Sequence, residues 1–343
     1  MKLGIIGLPG SGKTTVFEAL TGNLSDSGRR DEPRIGTIRV PDNRVNVLSD
    51  MYQPKKTIFA QVEYFLPAQT ASQKESTKGD ALWNQVRDCD ALIHVIRNFG
   101  GYGMEAPTPK ADSSAMEQEM ILTDLVSVEK RIERLGLDKQ RGKKINPEEL
   151  SLLRECLGIL EDEKPLRVNP LISATPLLRG FTFLSAKPIL TLFNNADDDD
   201  ETPELGTLAP ESNMLIKGKL EQEICEMTAE EAAEFLAEFN ITASARDRVI
   251  RRSYKLMGLI SFFTVGEDEV RAWTIRKETE AVESAEVIHS DIKKGFIRAE
   301  VVSYDDLIAA GSYAEARKRG TVRLEGKTYL VQDGDIINFR FNV

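Results

Sequence analysis

The first 22 residues constrain the fold more than any other stretch of the chain. A short apolar run leads into the sequence GLPGSGKT at residues 7–14, which matches the pattern G-x-x-x-x-G-K-[ST]. Residues 15–20 then predict a helix that ends at Gly22. Strand, glycine-rich loop and helix in this order are the setting in which the pattern binds phosphate. The alternative, a glycine-rich turn in an ordinary α/β unit, is disfavoured by the spacing and by the Lys-Thr pair.

Each residue type in this loop has a physical role. Glycines let successive backbone N–H groups point into one concavity, and the following helix adds the positive end of its dipole. Lys13 would reach the β- and γ-phosphates, and the Thr14 hydroxyl would ligate Mg²⁺. The predicted phosphate-binding residues are Gly7, Pro9, Gly10, Ser11, Gly12, Lys13, Thr14 and Thr15.

Length and composition set the class of protein. A chain of 343 residues is long enough for about two or three domains. A net charge of −10 argues against broad, nonspecific binding of nucleic acid, and three cysteines far apart predict neither a disulfide framework nor a zinc site. The phosphate loop begins close to Met1, and no stretch approaches 18 consecutive apolar residues. We therefore expect a cytoplasmic protein with no signal peptide and no membrane partner.

Strands and helices alternate through much of the chain, which predicts a mostly parallel sheet. Thr37 is interpreted as an early strand residue, with a Mg²⁺-contacting switch residue as the alternative. His94 lies in an apolar strand and is interpreted as a core histidine with a satisfied hydrogen bond, rather than as a ligand or catalytic group. The predicted strands cover residues 38–40, 57–66, 91–97, 188–193 and 214–216, and predicted helices cover 44–51, 81–88, 226–239 and 243–257.

Two amphipathic helices predict an antiparallel helical hairpin. Ser114 and Glu117 have the spacing of a capping box, and the helix that follows is expected to end at Gly136. Asn146 is expected to cap the second helix, which has Pro147 in its first turn. The hairpin tip carries Lys139, Arg141, Lys143 and Lys144, which predict either a solvated turn or a contact with RNA.

From Ala272 onward the pattern changes to short strands and turns, including a predicted strand at 287–289. These and several earlier segments resemble the YchF subfamily of Obg-related phosphate-loop NTPases (TRAFAC class). The resemblance is carried by GLPGSGKT and VPDNR near the start, and by EVRAWT, GFIRAEV, RLEGK, VQDGD and FRFNV near the end. It implies an α/β phosphate-loop domain with a mostly parallel sheet, an inserted helical hairpin and a small α+β TGS domain. The implied ranges are 1–112 with 183–277, 113–182, and 278–343.

This resemblance also implies a function: a ribosome-associated ATPase or GTPase, a hydrolase linked to translation and stress responses. The implied partners are a purine nucleotide and the ribosome or its RNA, the cofactor is Mg²⁺ with ATP or GTP, and the chain would be a monomer. The family prefers ATP through N-x-x-E, where G proteins carry N-K-x-D. The residues matching these base-contacting loops are Asn194, Asn195 and Asp197, with Lys217, Gly218 and Lys219 in the second loop.

The match to the family is incomplete at two places. Asp197 replaces the family's Glu, so the choice between ATP and GTP stays open. The family's third strand ends in D-x-x-G, but here Leu66 and Gln69 occupy the expected positions. No catalytic residue is assigned. Two hypotheses follow: a slow NTPase switch, favoured by the intact phosphate loop, and a non-hydrolysing nucleotide-binding scaffold, favoured by Leu66.

Overall fold

The computed structural model describes residues 1–23, 32–68, 75–103, 105–204, 213–238 and 244–342. The chain divides into two compact units, each built from two separate parts of the sequence. Unit 1 comprises residues 1–37 and 63–249, and unit 2 comprises residues 38–62 and 250–343. The predicted division into three domains stays a prediction.

Unit 1 is organised around a six-stranded sheet with the order β2-β4-β1-β5-β6-β7. Strand β1 pairs in parallel with β4 and β5, and β5, β6 and β7 are parallel to one another. The predicted mostly parallel sheet is therefore confirmed, and Thr37 is a residue of β2. The strands are β1 (Lys2–Ile6), β2 (Arg34–Arg39), β4 (Gln61–Leu66), β5 (Ala91–Asn98), β6 (Ile189–Asn195) and β7 (Asn213–Ile216).

Helices cover this sheet because its strands are apolar on both faces. Trp83 is buried, and it packs with Ile6, Phe65 and Leu92 in one hydrophobic cluster. Helices of unit 1 outside the hairpin include α1 (Lys13–Thr21), α3 (Glu75–Val86), α7 (Gly218–Glu226) and α8 (Ala229–Glu238), and the division between the units falls within α9 (Ala245–Leu256). Short 3-10 helices at Leu166–Val168 and Pro176–Phe181, with α6 (Pro170–Ala174), lead back to β6.

The predicted helical hairpin is formed by α4 (Pro109–Gln140) and α5 (Pro147–Glu161). Asn146 caps α5 as predicted, since its side chain accepts the N–H of Glu148 at 3.0 Å. Two boundaries were predicted wrongly. Helix α4 begins at Pro109, ahead of the expected cap at Ser114, and it continues past Gly136. A glycine costs a helix only about 1 kcal/mol, and burial of the neighbouring Leu135 against α5 outweighs that cost.

Unit 2 contains a second six-stranded sheet, with the order β11-β10-β12-β8-β9-β3. Its strands are β3 (Lys56–Ile58), β8 (Leu259–Val265), β9 (Glu269–Arg276), β10 (Phe296–Ser303), β11 (Arg323–Glu325) and β12 (Asp335–Phe341). The strand predicted over 57–66 is in fact two strands, β3 and β4, which join different sheets. The helices of unit 2 are α2 (Asn43–Tyr52), α10 (Ala281–Ile288), α11 (Ser290–Lys294), α12 (Tyr304–Ala310) and α13 (Tyr313–Lys318).

The strand predicted at 287–289 is wrong. Residues 287 and 288 end α10, because Ala281 and Ala285 pack into the core beneath the second sheet. His289 then caps α11, with its Nδ1 accepting the N–H of Asp291 at 3.2 Å. This cap gives His289 a structural role.

Candidate functional site: the phosphate loop and the ends of neighbouring strands

The loop between β1 and α1 has a backbone that only glycine adopts easily. Gly12 has a φ of 90° and Gly7 a φ of 150°, both in the left-handed range. A Cβ on Gly12 would lie 2.1 Å from Nδ2 of Asn194, and one on Gly7 would lie 2.3 Å from the carbonyl oxygen of Val95. These two glycines are therefore required by close approach as well as by conformation.

Lys13 lies folded back over this loop. Its Nζ donates to the carbonyl oxygens of Gly7 and Leu8, both at 2.8 Å. Burial lowers the pKa of the Lys13 ammonium to about 8. The positive charge is thus held at the mouth of the loop by two weak neutral partners, which an incoming phosphate could replace.

Ser11 supplies a test of whether the loop fits a phosphate group. Its side chain is buried, and its Oγ has no hydrogen-bond partner within the described part of the chain. A buried hydroxyl without a partner costs free energy, and a phosphate oxygen is a strong acceptor. The loop, Lys13 and the N-terminal end of α1 therefore form a cradle that fits a polyphosphate.

Asn194 connects the cradle to the second predicted loop. Its Nδ2 donates to the carbonyl oxygen of Ser11 at 3.1 Å, and its Oδ1 accepts the N–H of Gly218 at 3.0 Å. Only 4% of its surface is exposed. A Cβ on Gly218 would lie 2.7 Å from that same Oδ1. The structure thus brings together the phosphate loop, the end of β6 and the start of α7.

The other predicted base-contacting residues have different surroundings. Asp197 is exposed, and Asn195 is buried with its side chain turned into the protein. Lys217 forms an ion pair with Asp200 at 2.8 Å, whereas Lys219 is largely exposed and lies 3.9 Å from Glu223. The assignment of every predicted site residue as a nucleotide contact, in the phosphate loop as well as at residues 194–197 and 217–219, stays a prediction.

Two residues at this edge were missed by the sequence analysis. Asn98 is the last residue of β5. The ring of the next residue, Phe99, would lie 3.9 Å from a Cβ on Gly12. The signal was available, because β5 was predicted and the carboxyl ends of parallel strands meet at one edge of a sheet. What the sequence does not show is that β5 lies directly between β1 and β6.

Comparison with known proteins shows the family of this chain. A family model for the YchF GTPase C-terminal region, described as "Protein of unknown function (DUF933)", matches residues 259–342. The "Ribosome-binding ATPase YchF" of Bacillus subtilis is 40% identical, and the match covers 99% of each chain. The chain belongs to the YchF family. The protein of the same name from Pasteurella multocida is 36% identical, over 100% of this chain and 99% of that protein.

Solved structures agree with this assignment. The YchF GTPase of Schizosaccharomyces pombe superimposes with a TM-score of 0.84 at 29% identity, covering 99% of this chain and 97% of that one. A GTP binding protein from Pyrococcus horikoshii superimposes with a TM-score of 0.61 at 19% identity, over the full length of both chains, and shows the fold alone.

This YchF-family chain lacks an acidic residue where β4 ends. Leu66 is buried there, on the strand next to β1, and Gln69 lies outside the described residues. Across the described ranges, no group of three or more His, Cys, Asp or Glu side chains could hold a metal ion.

His94, in the middle of β5, is buried as expected for a core residue. The hydrogen bond predicted for the imidazole is not formed at Nε2, which has no hydrogen-bond partner in the part of the chain that the structure describes. Burial, together with the charges of Arg167 and Lys13, lowers the pKa of His94 to about 3. The imidazole is therefore neutral at physiological pH.

None of the helices in the described ranges is long and apolar enough to cross a membrane. At the hairpin tip, Lys143 forms an ion pair with Asp138 at 2.7 Å, while Lys139, Arg141 and Lys144 are exposed. The choice between a solvated turn and an RNA contact at this tip stays a prediction.

Proposed function

We propose that this chain binds a purine nucleoside triphosphate together with Mg²⁺, hydrolyses it slowly, and acts in the cytoplasm as a monomer on the ribosome. The observation that carries the nucleotide part is the cradle formed by residues 7–13, with a buried unpartnered hydroxyl on Ser11 and a displaceable Lys13. The ribosomal part is supported by the names of relatives, which are called ribosome-binding ATPases.

The division of labour follows from the geometry. Backbone N–H groups of the loop and the start of α1 would hold the phosphates, and Lys13 would leave the carbonyls of Gly7 and Leu8 to neutralise the terminal phosphates. Thr14 would hold Mg²⁺, which supplies charge neutralisation at the β- and γ-phosphate oxygens. The Asn194 amide keeps one Nδ2 hydrogen and one Oδ1 lone pair for a purine edge.

Slow hydrolysis is proposed because the end of β4 offers no carboxylate. Phosphoryl transfer requires a well-held metal ion and a positioned water molecule. Leu66 can supply neither, and its side chain is buried in the core. The same observation favours a second candidate function, a nucleotide-binding scaffold that does not hydrolyse its ligand.

Asp197 and the names of the relatives bear on which purine base the chain prefers. An Asp at position 197 suits guanine, because a carboxylate accepts from the paired N1 and N2 donors that adenine lacks. The bacterial relatives are named ATPases, whereas the Schizosaccharomyces pombe structure is titled a GTPase. Both nucleotides therefore belong in every assay.

Steady-state phosphate release with Mg·ATP and with Mg·GTP separates the two functions. The slow NTPase predicts turnover above a Lys13→Ala control with at least one nucleotide. The scaffold predicts binding of nucleotide with no turnover above that control. A wild-type protein that binds neither nucleotide contradicts both functions.

Co-sedimentation with purified ribosomes tests the proposed partner. We expect the chain to pellet with ribosomes, and to do so differently with a non-hydrolysable triphosphate than with a diphosphate. A chain that stays in the supernatant in all nucleotide states contradicts the ribosomal role.

A further inference from the structure

A buried amide stands directly behind the loop that follows β6. Asn195 is the last residue of that strand and is only 3% exposed. Its Nδ2 donates to the carbonyl oxygens of Asp199 at 3.2 Å and of Glu201 at 2.8 Å. Its Oδ1 accepts from Nδ2 of Asn98 at 3.1 Å. One side chain thus fixes the backbone of residues 196–201 from inside the protein.

Asn98 extends this network from the neighbouring strand. It is paired with Asn195 in the register of β5 and β6, and its Nδ2 also lies 3.3 Å from Oδ2 of Asp199. The other oxygen of Asp199 accepts the N–H of Glu201 at 2.9 Å. Because these groups are partly or fully buried, removing one of them leaves its partners without hydrogen bonds.

The network leaves one part of the loop turned outward. The N–H of Asp199 donates to the carbonyl oxygen of Ala196 at 3.2 Å, which closes a tight turn. Asp197 and Asp198 lie at the exposed side of this turn. On the far side, Lys217 pairs with Asp200 and so ties the loop to the segment that contacts Asn194.

We propose that Asn195 and Asn98 are positioning residues for base recognition: they hold Asp197 at the purine edge without touching the nucleotide themselves. This inference rests on the proposed binding of a purine nucleotide. The Asn195 amide supports the loop that carries Asp197, whereas Asn194 supports the phosphate loop through the carbonyl oxygen of Ser11, so the base and phosphate halves of the site have separate supports.

Separate supports have a measurable consequence. Hydrogen bonds to a base require a geometry held to within about 0.5 Å, and a loosened loop loses them. The phosphate cradle at residues 7–13 receives no hydrogen bond from the Asn195 side chain among those described, so its grip should persist. Loss of the Asn195 amide should therefore weaken binding of a nucleotide and spare binding of a bare polyphosphate.

The test compares three probes by titration calorimetry: Mg·ATP, Mg·GTP and inorganic tripolyphosphate with Mg²⁺. We expect Asn195→Ala to lower the affinity for the preferred purine triphosphate about tenfold, which corresponds to the loss of roughly one charge-assisted hydrogen bond. The affinity for tripolyphosphate should change less than about twofold. Asn213→Ala is the matched control, since Asn213 starts β7 and pairs with Thr191, at the opposite end of the strands from Asn195. It should change none of the three affinities.

Asn98→Ala provides a second, milder variant at a half-buried position, in case Asn195→Ala does not fold. It should lower the affinity for the same nucleotide and leave the affinity for tripolyphosphate unchanged. Equal weakening of nucleotide and tripolyphosphate, or no weakening of either, overturns the positioning role. A wild-type protein that binds none of the three probes instead refutes nucleotide binding itself, which keeps the two failures distinct.

Discussion

Lys13 is held at the phosphate loop by the carbonyls of Gly7 and Leu8, and its burial lowers the pKa of the ammonium to about 8. A bound polyphosphate would stabilise the charged form and raise that pKa. Below pH 8 the ammonium is already charged, so affinity should vary little. Above pH 8 binding requires uptake of a proton, and affinity should fall by about tenfold per pH unit.

Titrations of the triphosphate between pH 7 and pH 9.5 check this expectation. Lys13→Arg is the matched control, because guanidinium stays charged throughout this range and should give a flat profile. Identical profiles for lysine and arginine would contradict a lowered pKa of Lys13 in the free protein.

Alanine substitutions at Gly12 and Gly10 should have different effects on the same loop. Both have a positive φ, at 90° and 78°, so alanine is strained at either position. The new Cβ at Gly12 would collide with Nδ2 of Asn194, while at Gly10 no atom of the described residues lies within 4 Å of the new Cβ. Gly12→Ala should therefore abolish measurable nucleotide binding, and Gly10→Ala should retain it. Equal loss in the two variants would show that backbone strain alone governs the loop.

How far the site could be predicted depends on whether a residue acts locally. The pattern at residues 7–14 is contiguous, and the structure gives it the expected backbone turn and helix. Asn194 was found through a short motif, but its contacts with Ser11 and Gly218 join distant segments and were not predicted. Phe99 was not predicted for the same reason, because its position depends on the order of the strands in the first sheet.

The helical hairpin shows the same division between local and tertiary effects at the scale of elements. The cap of α5 follows from a side chain close in sequence, Asn146. The seam, which is the line of buried apolar residues between the two helices such as Leu135 and Leu153, follows from the amphipathic pattern. The end of α4 does not, because packing of Leu135 carries the helix through Gly136 to Gln140. Strands β3 and β4 were merged in the prediction because their residues alternate alike, although they join different sheets.

Two leucines on α4 test whether the seam stabilises the hairpin. Leu135 is 4% exposed and packs in the hairpin core, whereas Leu137 is 43% exposed. Leu135→Ala should lower the free energy of unfolding by about 2–5 kcal/mol, and Leu137→Ala by about 0.5 kcal/mol. Urea unfolding followed by circular dichroism measures both. Equal losses would mean that the seam contributes nothing beyond helix propensity.

At the scale of the whole molecule, the chain builds unit 2 from two stretches that are far apart in sequence. Arg44, from the VPDNR segment, donates to Asp42 and to Asp333 of the VQDGD segment, with Nη1 of Arg44 and Oδ2 of Asp333 2.9 Å apart. Asp333 also accepts the N–H of Ser261 at 2.9 Å. Segments that the sequence marked only by resemblance are thus joined by ion pairs and hydrogen bonds.

A double-mutant cycle measures the strength of this junction. The coupling between Arg44→Ala and Asp333→Ala should be about 1 kcal/mol, because Arg44 is three-quarters buried and bonded to two carboxylates. The pair formed by Lys55 and Asp268 has a similar distance, 2.7 Å, but both side chains are largely exposed. Its coupling should be about 0.3 kcal/mol, and a coupling as large as that of the first pair would contradict the role assigned to Arg44.

Binding of nucleotide at the phosphate loop is the central claim, and calorimetric titration with Mg·ATP and Mg·GTP tests it most directly. The wild-type chain should bind at least one of the two, and Lys13→Ala should bind it at least about a hundredfold more weakly, since a buried charge-assisted contact is lost. A wild-type chain that binds neither, or a Lys13→Ala variant that binds as tightly as the wild type, would contradict the claim.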